Sequence, residues 1–383
     1  MKMSSSRNYG VPESDSALGP LIGLRRPRYE ILHDVLGEFI SAQNPENELY
    51  FFVNLNTILR QLFSEHAVAK LTRGEFNRHP RQLAAELLNV GGHYRNFAFK
   101  HYGRRTTVIM YYSSEKCEEK LALNPDFKSN MYAKRIGGAG PEFDVIRNYV
   151  NFNLETAKKV AQFIPHLHLV DTGAVDPEPW PWALASEGRL NGSAIVLSSW
   201  AADLQYALGP GNSGNEGYQW AVLRASGDHS RLITRDTIMS EALRETKTGE
   251  EVAAQLEPGH YLYTLAMAGE DDLGVPGIPK FGMSKAAKHI AKQVGLGRMP
   301  GGSPNLAALS EEGGLDEGKN EAAALAWKLL VHQDYASTIP SSAMSEIDTQ
   351  LINRSGLAEI EKTNATFFEG RLSLELLYAG EGY

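Results

Sequence analysis

GEDDLGVPGIPKFGMSKAAKHIAKQVG, residues 269–295, is the most informative stretch of this 383-residue chain. Its segment GVPGIPKFG (274–282) carries three glycines and two prolines in nine residues, which makes a tight turn and excludes a helix. A helix then begins near Ser284, a residue type suited to the N-cap. On it, Lys285, Lys288, His289 and Lys292 fall at i, i+3, i+4 and i+7 and share one face. Met283, Ala286, Ala287, Ile290 and Val294 take the other, and no acidic residue occurs from Leu273 through Leu309. Backbone N–H groups exposed at a helix N-terminus suit a phosphate. Lysines along the same helix extend such contacts along a nucleic-acid backbone. The same spacing also fits a helical hairpin with a merely solvated lysine face.

Working outward, four short apolar or β-branched runs read as buried strands: LYFFVNL (49–55), TTVIMYY (106–112), HLHLVD (166–171) and SAIVLSS (193–199). Residues 218–234 alternate and hold two more. Helical patterns separate the strands, PEFDVIRNYVNFNLETAKKVAQFI (141–164) being the longest. Alternating strands and helices imply an α/β fold with a mostly parallel central sheet flanked by helices. The expected organisation is a flexible or extended N-terminal arm over 1–45, an α/β domain over 46–235 and a helical clamp region over 236–300. A linker with C-terminal helices follows over 301–383. The run from His66 to Arg105 is helical and basic, and any single charge there reads as solvated.

Composition narrows the function. A net charge of −8 argues against a generally cationic nucleic-acid coat but leaves room for a local basic surface. The single cysteine, Cys117, excludes a disulfide framework and a Cys-rich zinc site. No apolar run reaches the roughly 18–20 residues that span a bilayer, and MKMSSSRNYG lacks a signal-peptide core. The expected location is cytoplasmic.

The 269–295 segment resembles the helix–turn–helix element of the flap endonuclease and 5′-nuclease superfamily, whose pattern is roughly G-V-P-G-I-G-x-K-x-A. The matching positions are Gly274, Val275, Pro276, Gly277, Ile278, Gly282, Lys285 and Ala286. Three further segments occur in the family's order. YFFVNLNTILRQLF is similar to its first strand and helix. LNPDFKSN (123–130) is similar to the element before its helical arch, with Lys128 at the lysine. SAIVLSSWAADLQYAL is similar to the strand written I-V-S-x-D-x-D-x-x-Q-L, with Gln205 at the glutamine. The resemblance spans about residues 48–295. It implies a PIN-like 5′-nuclease fold with a helix–hairpin–helix-type DNA clamp. It also implies phosphodiester hydrolysis by carboxylate-held Mg²⁺ or Mn²⁺, and a monovalent cation at the 274–282 turn. Similarity to phage nucleases points to a phage origin and the host-cell cytoplasm.

The family's acids are only partly kept. Asn54 stands at the first-strand aspartate, Tyr112 at the second-strand acid, and Trp200 and Ala202 at the paired aspartates of the fourth strand, with Asp203 one residue off. Asp176, Glu178, Glu270, Asp271 and Asp272 keep carboxylates that could hold one weak metal or be solvated surface acids. Lys128 and Asp203 are the residual catalytic candidates. The expected function is binding of branched, flapped or 5′-ended DNA by a catalytically degenerate nuclease fold, a pseudoenzyme. Phosphate contacts would come from Lys280, Lys285, Lys288, Lys292 and Arg298, with Lys128, Lys134 and Arg135 near the old arch. The rivals are an active metal-dependent 5′-exonuclease or flap endonuclease with a rearranged metal site, and a structural protein that binds protein partners. His166 and His168 share a strand face without a third ligand. Trp180, Trp182, Trp200 and Trp220 suit core packing better than base stacking.

Overall fold

The computed structural model describes residues 28–63, 81–209, 218–224, 230–246, 249–299, 304–341 and 357–378. Six strands form one sheet: β1 (Glu48–Asn54), β2 (Thr106–Tyr112), β3 (Leu167–Asp171), β4 (Gly192–Leu197), β5 (Trp220–Arg224) and β6 (Arg231–Ile233). Their order is β3-β2-β1-β4-β5-β6. All neighbours are parallel except the β5–β6 pair. The apolar runs read from sequence are therefore strands, and they are apolar throughout because both faces of a parallel sheet are covered.

The helices are α1 (Tyr29–Ala42), α2 (Gln82–Tyr102), α3 (Asp144–Ala161), α4 (Trp180–Ser186), α5 (His260–Ala268), α6 (Met283–Gly295), α7 (Glu317–Leu330), α8 (His332–Ala336), α9 (Leu357–Thr366) and α10 (Leu374–Leu377), with shorter turns between. Side chains alternate along each strand, so two cores form. Phe51, Val108, Met110 and Tyr112 join α1, α2, α3 and the C-terminal α9–α10 on one face. Phe52, Ile109, Tyr111 and Val196 join α4, α5, α6 and α7 on the other. On α3 the buried Ile146, Val150, Leu154, Ala157 and Ala161 recur every three or four residues, which fixes the face it turns to the sheet.

Three expectations change. Over Tyr29–Ala42 the expected arm is a helix, because Leu32, Leu36, Phe39 and Ile40 form an apolar stripe that packs on the core; residues 1–27 lie outside the described residues. The expected linker after residue 301 holds a helix at Leu306–Glu312, capped by the Asn305 side chain, while α7 is one of the expected C-terminal helices and buries Trp327 in the core. In the basic run, the part at 64–80 lies outside the described residues. Beyond it Arg95 and Arg104 are buried and donate to the carbonyls of Leu377 and of Asn44 and Asn47. Those two charges are structural ties and not a solvated face.

The tryptophans follow the core reading. Trp182, Tyr206 and Trp220 form a buried triangle of rings, with Phe52 against Trp220, ring centroids 5.7–6.0 Å apart. None of these rings is open to a nucleobase. Phe52→Ala should cost about 3–5 kcal/mol through the cavity it leaves. Val145→Ser, on the exposed side of α3, should change stability by less than about 0.5 kcal/mol. Chemical denaturation of the two variants checks both.

Candidate functional site

The C-terminal ends of β1, β2 and β4 converge on a buried cluster of charge. Asp176 and Glu178, in the loop between β3 and α4, are each 1% exposed. Lys120, on the short helix Glu118–Leu123, donates to Asp176 Oδ2 at 2.5 Å and to the Leu329 carbonyl at 2.7 Å. Lys128 donates to Asp176 Oδ1 at 2.5 Å and also to Glu178 Oε2. Asn54 completes the second carboxylate, its Nδ2 donating to Glu178 Oε1 at 3.0 Å. Two ammonium groups thus face two carboxylates in a space closed to solvent. Aromatic rings wall it: Phe127 lies 5.0 Å and Trp200 5.5 Å from the Lys128 ammonium, and Tyr335 4.6 Å from that of Lys120.

Electrostatics divide the two acids. Burial alone would raise the Asp176 carboxyl, but Lys120 and Lys128 hold it well below the usual carboxylate range. Glu178 is displaced upward, by burial first and then by the charge of Asp176. Burial works against the Lys128 charge, and the two carboxylates overcome it and raise its pKa. Lys128 also has left-handed backbone (φ 50). That geometry costs an L-residue about 1–2 kcal/mol, and it aims the side chain inward from the start of the helix Ser129–Arg135.

A second buried group adjoins the first. Asp203 accepts from the Ser198 hydroxyl, and its Oδ1 lies 3.0 Å from His332 Nε2. The His332 backbone N–H donates to Gln205 Oε1, and Gln205 Nε2 donates to the Leu330 carbonyl. Burial lowers the His332 pKa. Aspartate sits between serine and histidine, so histidine cannot take the serine proton and no nucleophilic triad forms. The end of α7 and the whole of α8 therefore roof the acid cluster.

The remaining expected metal acids lie elsewhere. Glu270 accepts the backbone N–H groups of Ala201 and Ala202 at 3.2 and 2.9 Å. Burial raises it to about 7 although these two donors oppose the shift. Asp271 and Asp272 are exposed. Among the described residues no group of three His, Cys, Asp or Glu side chains is arranged to hold a metal. The donor set does not fit Mg²⁺ as it stands. Both oxygens of Asp176 and both of Glu178 already accept hydrogen bonds, so a cation would have to displace Lys128 from a buried contact.

The turn and its helix match the sequence reading more closely. A two-stranded ribbon, β7 (Gly269–Glu270) and β8 (Val275–Pro276), leads into the turn. A Cβ on Gly274 (φ +65) would fall 2.2 Å from the Asp126 carbonyl oxygen, and one on Gly277 2.3 Å from the Ala268 carbonyl carbon. Only glycine allows these approaches. The first docks the turn against the 124–128 loop, where the Lys128 N–H donates to the Leu273 carbonyl and Asn124 Nδ2 to the Gly274 carbonyl. The carbonyls of Gly274, Ile278 and Gly282 each accept an internal hydrogen bond. The N-cap is Gly282 and not Ser284, because the first helical hydrogen bonds run from Lys285 and Ala286 to the Gly282 carbonyl. Ala286, Ala287 and Ile290 are buried, while Lys280, Lys285, Lys288, Lys292 and Arg298 are exposed.

Other candidates move. Lys128 and Arg135 are buried and present no cation to solvent, and Arg135 lies 5.5 Å from the Tyr112 ring. Lys134 is half-buried near Phe143. Tyr112 joins the core on the opposite face from the acids, and Tyr111, its neighbour of opposite parity, packs against Trp180 on their side. Trp200 lies against the Lys128 ammonium, and the Ala202 N–H donates to Glu270. His166 has left-handed backbone (φ 56) just before β3, so it does not share a strand face with the buried His168. Ser198 lies in no G-x-S-x-G elbow, and Lys120 and His332 belong to no motif in the sequence. Only His332 carries a signal, as a histidine inside the apolar run ALAWKLLVHQ.

No family model and no curated protein matches the chain. In structure it resembles 5′-nucleases of bacteriophage T5. One is a T5 flap endonuclease pseudo-enzyme in a product complex with DNA and metal ions, at 13% identity and a TM-score of 0.47, the match covering 85% of this chain and 99% of that one. Another is T5 5′-exonuclease with bound zinc, at 11% identity and 0.46, covering 82% and 99%.

Removing one partner of a buried ion cluster leaves an uncompensated charge. Lys128→Ala should therefore lower stability by about 3–5 kcal/mol, and Mn²⁺ should raise the melting temperature of that variant but not of the wild type. Thermal melts with and without Mn²⁺ read both effects. Glu270 gives a pH signature. Its folded pKa is about 7 against an unfolded value near 4.5, so the stability it contributes is complete below about pH 4.5 and is lost as pH rises through 7. Relative to Glu270→Gln, the wild type should lose up to about 3 kcal/mol across that window, measured by urea titration at each pH.

Proposed function

We propose that this chain binds nucleic acid, DNA in particular, through the 274–282 turn and the lysine face of α6, and that its acid cluster is structural. One observation carries the reading: exposed lysines follow a glycine turn on a rigid helix, next to carboxylates that are sealed and paired. Lys285, Lys288 and Lys292 lie along one side of α6. The opposite side is anchored by Ala286, Ala287 and Ile290, so the cations are fixed in line. Such a row suits successive phosphates of a backbone and reads no bases. The lysine-filled acid cluster supports the loss of phosphodiester cleavage, since two-metal hydrolysis needs anionic oxygens free to bind the ions.

Binding of a 5′-flapped duplex in EDTA, followed by fluorescence anisotropy at several salt concentrations, tests the reading. Lys285→Glu with Lys288→Glu should weaken binding at least tenfold and flatten the dependence of log K on log salt by about two phosphate contacts' worth. Unchanged binding in that variant removes the lysine face. Cleavage by the wild type in Mg²⁺ or Mn²⁺, abolished in Asp176→Asn, removes the structural reading of the acids.

A further inference from the structure

A cleft of about 760 Å³ runs beside the start of α6, between it and the β5–β6 ribbon. Its charged lining is unequal. Among the described residues, Arg224, Arg231, Arg244, Lys285 and Lys288 face Glu241 and Glu245. Three guanidiniums gather on the single Glu241 carboxylate, from Arg231 at 2.8 Å, Arg224 at 3.3 Å and Arg244 at 3.7 Å. One carboxylate can neutralise one of them; it accepts hydrogen bonds from Arg231 and Arg224, and Arg244 stands at ion-pair distance. A guanidinium has five N–H donors and a carboxylate about four acceptor positions, so donor capacity is left over. The Arg224, Arg231 and Arg244 side chains keep 25%, 38% and 54% exposure, so the surplus is open to a ligand. A neighbouring cleft of about 830 Å³ shares Arg231, Glu241 and Arg244, and among the described residues adds Glu250 and Glu251 and no further cation. The cationic excess is therefore confined to the side next to α6.

We propose that this arginine cleft is a second phosphate-binding site, and that it takes a phosphodiester of the nucleic acid held on the lysine face. The proposal rests on the reading of α6 given above. Guanidiniums fixed in a cleft bind phosphate oxygens in pairs, which a mobile surface lysine does not. Lys285 and Lys288 line the cleft as well as the helix face, so a strand following the lysines is led into it. Glu241 sets the orientation of the arginines and tempers their affinity.

The test uses the full chain, the flapped duplex in EDTA and three variants. Arg244→Gln, the most exposed of the three, should weaken binding about fivefold to tenfold and make the salt slope shallower by about one. Glu241→Gln should do the reverse, with tighter binding and a steeper slope, a gain that misfolding cannot produce. Lys292→Gln, on the part of the face away from the cleft, reports on the lysine reading alone. Binding unchanged by Arg244→Gln and Glu241→Gln but weakened by Lys292→Gln overturns the cleft and leaves the lysine face standing. A wild type that binds no DNA overturns the lysine face. In that case inorganic tripolyphosphate, raising the melting temperature of the wild type but not of Arg244→Gln, keeps the cleft with a free polyphosphate as its ligand. No shift in the wild type overturns both.

Discussion

The contact of Lys120 and Lys128 with Asp176 and Glu178 constrains the rest of this molecule. Each of these charges costs several kcal/mol to bury alone. Together they can be buried only if every oxygen and ammonium finds its partner in one geometry. That requirement fixes several elements at once. The helix Glu118–Leu123 must present Lys120, the left-handed Lys128 must turn inward, and the loop after β3 must bring both acids beneath them. α7 must end where the Leu329 carbonyl can accept from Lys120. Asn54 at the end of β1 closes the set. Two ammonium groups supply the double positive charge that a divalent ion would bring, and they do so without exchangeable coordination sites.

The same constraint ties the two halves of the chain together. The loop that carries Lys128 docks on the turn before α6 through the Lys128 N–H, Asn124 and the close approach at Gly274. The buried charges and the exposed lysine row are thus parts of one rigid assembly. The sealed cluster supports the geometry of the open face. The open face carries the electrostatics that reach solvent.

Much of this was legible in the residues. The strands declared themselves because parallel strands covered on both faces are apolar throughout. The turn declared itself because glycine and proline restrict the backbone locally, and the lysine row followed from helical periodicity. What stayed hidden was long-range or a matter of one-residue parity. Lys120 and Lys128 find Asp176 and Glu178 across roughly fifty residues of sequence, and His332 finds Asp203 across 129. A lysine in EEKLAL looks solvated until its partners are placed. Tyr111 and Tyr112 exchange roles because adjacent strand residues face opposite ways. Ser284 lost the N-cap to Gly282 because the close-packed turn set the helix start.

The segment over α9 and α10 closes the core shared with α1 and α3 through α2. Arg81 donates to the Phe367 carbonyl, Asn89 to that of Arg371, and Arg95 to that of Leu377, so three polar side chains, one just before α2 and two on it, depend on residues made some 280 positions later. During synthesis α2 leaves the ribosome long before these acceptors exist. Until then the side of α2 that meets Leu376, away from the side at Gly91 that meets Leu167 of β3, stays open to water. The order of translation thus makes the covering of α2 a late event, set by residues 367–377 rather than by the strands at the centre of the fold.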